Sequence, residues 1–122
     1  MRRLVLALVC ANLTGCAHFF PPQTPCPEIL SAEAWTDRMP GPEKPISPLI
    51  VSIRLDTDSL WMLTAITQEE SPAVLQLDLK PGGAGYPGSA GFRSTKAGHP
   101  DSIEIVCAGK LRHTIRDVMI VS

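Results

Sequence analysis

Strict alternation of apolar and polar residues governs the chain after Pro48, and it restricts that half to β-structure. "LIVSIRLDT" sets Leu49, Val51, Ile53 and Leu55 against Ile50, Ser52, Arg54 and Asp56. "AVLQLDLK" places Leu75, Leu77 and Leu79 on one face and Gln76 and Asp78 on the other. "SIEIVCA" sets Ile103, Ile105 and Cys107 against Glu104 and Val106. Successive side chains of a strand point to opposite faces, so this period of two buries one face and wets the other. "LWMLTAITQ" is a further strand candidate, and "KLRHTIRDVMIVS" closes the chain. Ala108-Gly109, between the last two runs, predicts a tight hairpin turn. Several short strands separated by turn signals predict a small antiparallel β-sandwich, immunoglobulin-like or similar, or a small barrel. No internal repeat and no heptad is present.

Before Pro48 the pattern differs. "ILSAEAWTDRMPGP" predicts one short helix of about two turns. Ser31 can cap it, and Glu33 suits the positive end of the helix dipole. Leu30 and Trp35 fall at the two positions of a hydrophobic staple. Pro40 ends it by disfavouring helical geometry at Met39.

The first residues carry an export pattern. Arg2 and Arg3 form a short positive region, and Leu4 to Ala11 is an apolar run. That run is shorter than the roughly 20 apolar residues a bilayer span needs. It matches the apolar segment of a signal peptide. Leu13-Thr14-Gly15-Cys16 then resembles the bacterial lipobox, an aliphatic residue, a small residue, Gly or Ala, and Cys. The resemblance implies that the Cys16 thiol receives a diacylglycerol and that residues 1–15 are removed. Acylation of the new amino group, typically by palmitate, follows in such proteins. Ala17 after Cys16, rather than Asp, is similar to the sorting signal for the outer membrane. The implied address is the bacterial envelope, on the periplasmic side of that membrane.

This reading settles the charge and the cysteines. Removing fifteen of the 122 residues leaves 107, enough for one small domain. Loss of Arg2 and Arg3 takes two of the eleven cations and leaves nine against twelve carboxylates. No basic run remains, which argues against nucleic acid, since phosphate binding needs clustered Lys and Arg. Cys10 leaves with the signal and Cys16 is taken by lipid, so Cys26 and Cys107 remain to pair in an oxidising compartment. Their spacing suits neither a zinc site nor a CxxC redox pair.

Residues 16–28 read as a lipidated tether. "AHFFPPQTPCP" holds four prolines and favours extended, polyproline-like backbone. Such a segment reaches about 35 Å at 3.1 Å per residue. Phe19 and Phe20 are placed either at the membrane interface or against the domain. The domain itself is expected over residues 29–122.

The chemistry-bearing motifs are sparse. "GAGYPG", Gly83 to Gly88, matches GxGxxG in letters only. Pro81-Gly82 separate it from the preceding strand, and Pro87 stands where a helix must begin to present its amides to a pyrophosphate. The stretch reads as a Gly-rich loop between strands, with Gly83, Gly85, Tyr86 and Gly88 as a candidate partner-binding loop. His99, Asp101 and Ser102 supply the residue types of a hydrolase triad, but neighbours in an extended loop do not converge on one atom. A turn is expected there. His18, His99 and His113 lack metal-ligand spacing, and there is no HExxH or CxxC. Asp56 and Asp58 in "DTDS" read as a turn, with weak calcium binding as the alternative. Glu69 and Glu70 read as a solvated loop. No nucleophile stands with a base, so no catalytic residue, cofactor or metal is assigned.

The segment "SAEAWTDRMPGP" also resembles a group of small bacterial envelope lipoproteins. Ser31 and Trp35 lead into Met39-Pro40-Gly41-Pro42, and "IVCAG" at 105–109 forms a late hairpin. The resemblance covers roughly residues 29–122 and implies an envelope location and a β-rich domain. Members carry a Thr-Pro-Gly-Tyr-like turn after the first long strand, where this chain has "LDTDSL". Together these features predict a non-enzymatic lipoprotein that binds an envelope protein through its Gly-rich loop or a sheet edge. The alternatives are an inhibitor of an envelope hydrolase and a structural component of an envelope assembly.

Overall fold

The computed structural model of the chain describes residues 25–38 and 47–121. Eight strands follow one another: β1 (Ile29–Asp37), β2 (Leu49–Leu55), β3 (Trp61–Ala65), β4 (Val74–Pro81), β5 (Ser89–Ser94), β6 (Ser102–Cys107), β7 (Lys110–Ile115) and β8 (Met119–Val121). They form two four-stranded sheets, in the orders β5-β2-β1-β8 and β3-β4-β6-β7. The two sheets make a β-sandwich, one of the two architectures that the alternation allowed.

The alternating runs fold as read. Leu49, Val51, Ile53 and Leu55 of β2 are all buried, and so are Leu75, Leu77 and Leu79 of β4 and Ile103, Ile105 and Cys107 of β6. These inner faces meet in one core with Trp61 and Leu63 of β3 and Ile115 of β7. Leu49, Ile53, Leu77, Ile103 and Ile105 are fully enclosed. Burying a side chain of this size stabilises by about 1.5–3 kcal/mol.

Two expectations are corrected. The sheets are mixed rather than antiparallel: β8 runs parallel to β1, and β6 parallel to β4. Both parallel pairs arise because the chain changes sheets between their members. The segment after β4 crosses to the first sheet as β5 and returns as β6. Residues 116–118 likewise cross from β7 in the second sheet to β8 in the first.

The predicted N-terminal helix is strand β1. Ala34 and Thr36 are buried, and Ala32 packs against the core, so its inward positions alternate. A two-turn helix is marginal alone, because nucleation costs more than a few hydrogen bonds return. As a strand the segment pairs with β2 along one edge, and its last residues, Trp35 to Asp37, pair with β8 on the other. The staple does not form: Leu30 is exposed, beside an irregularity in the β1–β2 register. Met39 and Pro40 lie outside the described residues, as do residues 1–15, the lipidation residue Cys16, His18, Phe19 and Phe20.

The remaining differences are local. Ser89–Ser94, read as no strand in the sequence, is strand β5, paired with β2. The last run splits into β7 and β8. Ala108 (φ 52°) and Gly109 (φ 78°) make the two-residue β6–β7 turn, both in the left-handed region that a type I′ hairpin demands.

Candidate functional site

The Gly-rich loop connects β4 to β5 and is held at its roots by the backbone. Gly82 N–H donates to Leu60 O at 2.8 Å, and Gly88 N–H donates to Ser59 O at 3.2 Å. Gly88 O accepts from Leu55 N–H at 2.9 Å, and Tyr86 O accepts from Ser89 N–H at 3.2 Å. Gly88 has φ 76°, and a Cβ there would stand 2.9 Å from Thr57 O. Only glycine fits that root.

Tyr86 projects from this loop with 82% of its surface exposed. Gly83, Gly85 and Tyr86 line a groove of about 510 Å³ together with Trp61, Met62 and Gly91. The groove follows the seam where edge strand β3 of one sheet meets edge strand β5 of the other. Gly83, Gly85 and Tyr86 therefore share one surface, while Gly88 acts from the loop root.

Cys26 and Cys107 form a disulfide, with Cα atoms 6.2 Å apart. The bridge ties the chain just before β1 to the end of β6. The two cysteines and Trp61 line a second cleft of about 410 Å³, with Asp78 and Lys80 at the same surface. The indole Nε1–H of Trp61 is buried and has no hydrogen-bond partner among the described residues. An unpaired buried donor costs about 1–3 kcal/mol.

The stretch around His99 is irregular backbone with a bend at Asp101 rather than the expected hydrogen-bonded turn, and it does more than connect two strands. His99 Nδ1 and Thr36 Oγ1 share a hydrogen bond of 2.8 Å across 63 residues of sequence. Asp101 N–H donates to Ala73 O, and Ser102 opens β6. His99, Asp101 and Ser102 do not form a triad: the described partner of the imidazole is Thr36. Thr36 escaped the sequence reading because it lay in a predicted helix. Its signal was its place in step with the small residues Ala32 and Ala34. In "DTDS", Thr57 Oγ1 accepts from Ser59 N–H at 3.1 Å, and Asp56 and Asp58 are both exposed.

Among the described residues no group of three or more His, Cys, Asp or Glu is placed to hold a metal ion. No helix among them is long and apolar enough to cross a membrane. No family model, curated protein or solved structure matches the chain.

Proposed function

We propose that this chain is a lipid-anchored protein of the bacterial envelope whose sandwich binds a protein partner through the Gly82–Gly88 loop. The observation that carries the reading is Tyr86, 82% exposed on a loop whose two roots are fixed by backbone hydrogen bonds. A large amphipathic ring held on a rigid support loses little freedom on binding, and Tyr is enriched among residues that dominate interfaces. In the adjoining groove Met62, 37% exposed, offers an apolar contact to the partner.

The lipobox-like Leu13-Thr14-Gly15-Cys16 supports attachment through Cys16, with outer-membrane sorting by Ala17. Two or three acyl chains on one cysteine suffice for stable anchoring. The Cys26–Cys107 bridge is consistent with an oxidising compartment. The protein acts here by binding rather than by turnover.

The test is site-specific crosslinking in the source cell. A photoreactive residue replaces Tyr86 in one strain and exposed Leu111 of β7 in another. One stoichiometric adduct from position 86, absent from position 111, is the expected outcome. No adduct at 86, or the same adducts at both positions, defeats the reading. Detergent partitioning of the wild type against Cys16→Ser checks the anchor separately.

A further inference from the structure

A polar cleft lies at the far end of β5 from the glycine loop, where β1 ends and β2 begins. It measures about 560 Å³, within the usual size of small-ligand sites, and Thr36, Arg38, Glu70, Ser71, Lys96 and His99 line it. We infer that this cleft binds a free carboxylate group.

Charge selects the class. Among the described lining residues, Arg38 and Lys96 stand against one carboxylate, Glu70, an excess of one cationic side chain. One carboxylate brings the cleft to neutrality. A phosphate dianion would leave it negative, close to Glu70. Arg presents a planar fork that pairs with a carboxylate's two oxygens, and Lys adds a compact point charge.

The imidazole is positioned from behind. Thr36 is the one buried polar or charged residue among the described residues, and its Oγ1 meets His99 Nδ1. We assign the tautomer in which Thr36 donates to Nδ1, so that Nε2 carries hydrogen and can donate to the ligand.

The wall behind these groups is built and strained. Ser71 has φ 48°, a left-handed conformation immediately before Pro72, where the chain strongly prefers extended backbone. Gly98 has φ 65°, and a Cβ there would stand 2.7 Å from Ser71 Oγ. Strain of this kind persists where the surroundings enforce it, and it concentrates at ligand sites. Ser71 N–H donates to Lys96 O at 3.0 Å. Ser94 Oγ accepts from the N–H of Lys96 and of Ala97 at 3.1 and 3.2 Å. Pro100 is fully buried behind the turn. On the opposite wall, Arg38 N–H donates to Val121 O at 2.7 Å. Donors on a backbone already fixed lose less entropy when a ligand arrives.

The experiment is a nuclear magnetic resonance titration of the full chain in detergent micelles, reading the ring nitrogens of His99. The probes are acetyl-alanyl-alanine with a free carboxylate, its C-terminal amide, acetate and inorganic phosphate. The free acid should shift the His99 signals saturably, and the amide should not. Lys96→Met and Arg38→Met should each weaken binding by about tenfold, with their melting transitions still cooperative. Acetate binding as tightly as the peptide acid assigns the carboxylate to a small free acid, and tighter peptide binding assigns it to a chain terminus. Both outcomes support the inference. Equal shifts with the amide, tighter binding of phosphate, or no saturable shift overturn it. Signals of the Gly82–Gly88 loop should stay in place throughout, so this site stands or falls apart from partner binding at Tyr86.

Discussion

Thr36 and His99 share a 2.8 Å hydrogen bond that joins the end of β1 to the β5–β6 connection. Thr36 is 1% exposed, whereas the imidazole stands at the surface. Replacing Thr36 with Val removes the bond and roughly keeps the shape. His99 can then turn to water, so the loss should be near the net value of one hydrogen bond, about 1 kcal/mol. A urea titration should show a lower midpoint at unchanged slope.

The Cys26–Cys107 bridge closes a loop with a sequence separation of 81. The chain-entropy account gives about 4.5 kcal/mol for a loop of this length. Reduction, or the double change Cys26→Ala and Cys107→Ala, should lower Tm by roughly 20 °C or more for a domain of this size. An unchanged Tm in reducing agent would show that the bridge contributes nothing.

The glycines of the β4–β5 loop should divide. Gly88 combines φ 76° with a backbone oxygen 2.9 Å from where a Cβ would stand, whereas Gly85 has open space around it. Gly88→Ala should cost about 2–3 kcal/mol, because neither the φ nor the carbonyl can relax cheaply. Gly85→Ala should fall within about 0.5 kcal/mol of the wild type. Thermal melts of the two variants give the comparison, and equal effects would contradict the loop geometry.

Ala108 occupies a left-handed position that suits Gly or Asn better. Ala108→Gly should therefore stabilise the protein, by about 0.5–1 kcal/mol. Ala108→Val should destabilise it, since a β-branched side chain tolerates that φ least. Chemical denaturation of both variants reads the two signs.

The strands that were legible in the sequence share one property. In β2, β4 and β6 large aliphatic residues fill the inner face and polar residues interrupt them at every second position. The β6–β7 turn was legible because few dipeptides accept two positive φ values. β1 was hidden because its inward residues are Ala32, Ala34 and Thr36, too small or too polar to mark a core face. Its Ser31, Glu33 and Trp35 fit a helix start equally well, and only pairing with β2 and β8 decides the matter. β5 was hidden because its inner face is Ala90 and Phe92 around Gly91, which reads as more of the glycine loop. The polar cleft could not be read at all. Its lining comes from residues near 37, 70 and 97, and the fold alone brings those segments together. Glu70 lies in a solvated loop, as its sequence reads, and only the fold shows which residues it faces.

The position of the bridge also decides how the molecule carries mechanical load. Tension applied through the chain ahead of Cys26 reaches the sulfur atoms before it reaches β1. It is handed directly to the end of β6, an interior strand of the second sheet. Against a pull on the C-terminal end, everything between the two cysteines is a closed ring outside the line of force. Only β7 and β8 can then be drawn out. With the bridge reduced, the same pull peels the sandwich from β1 onward.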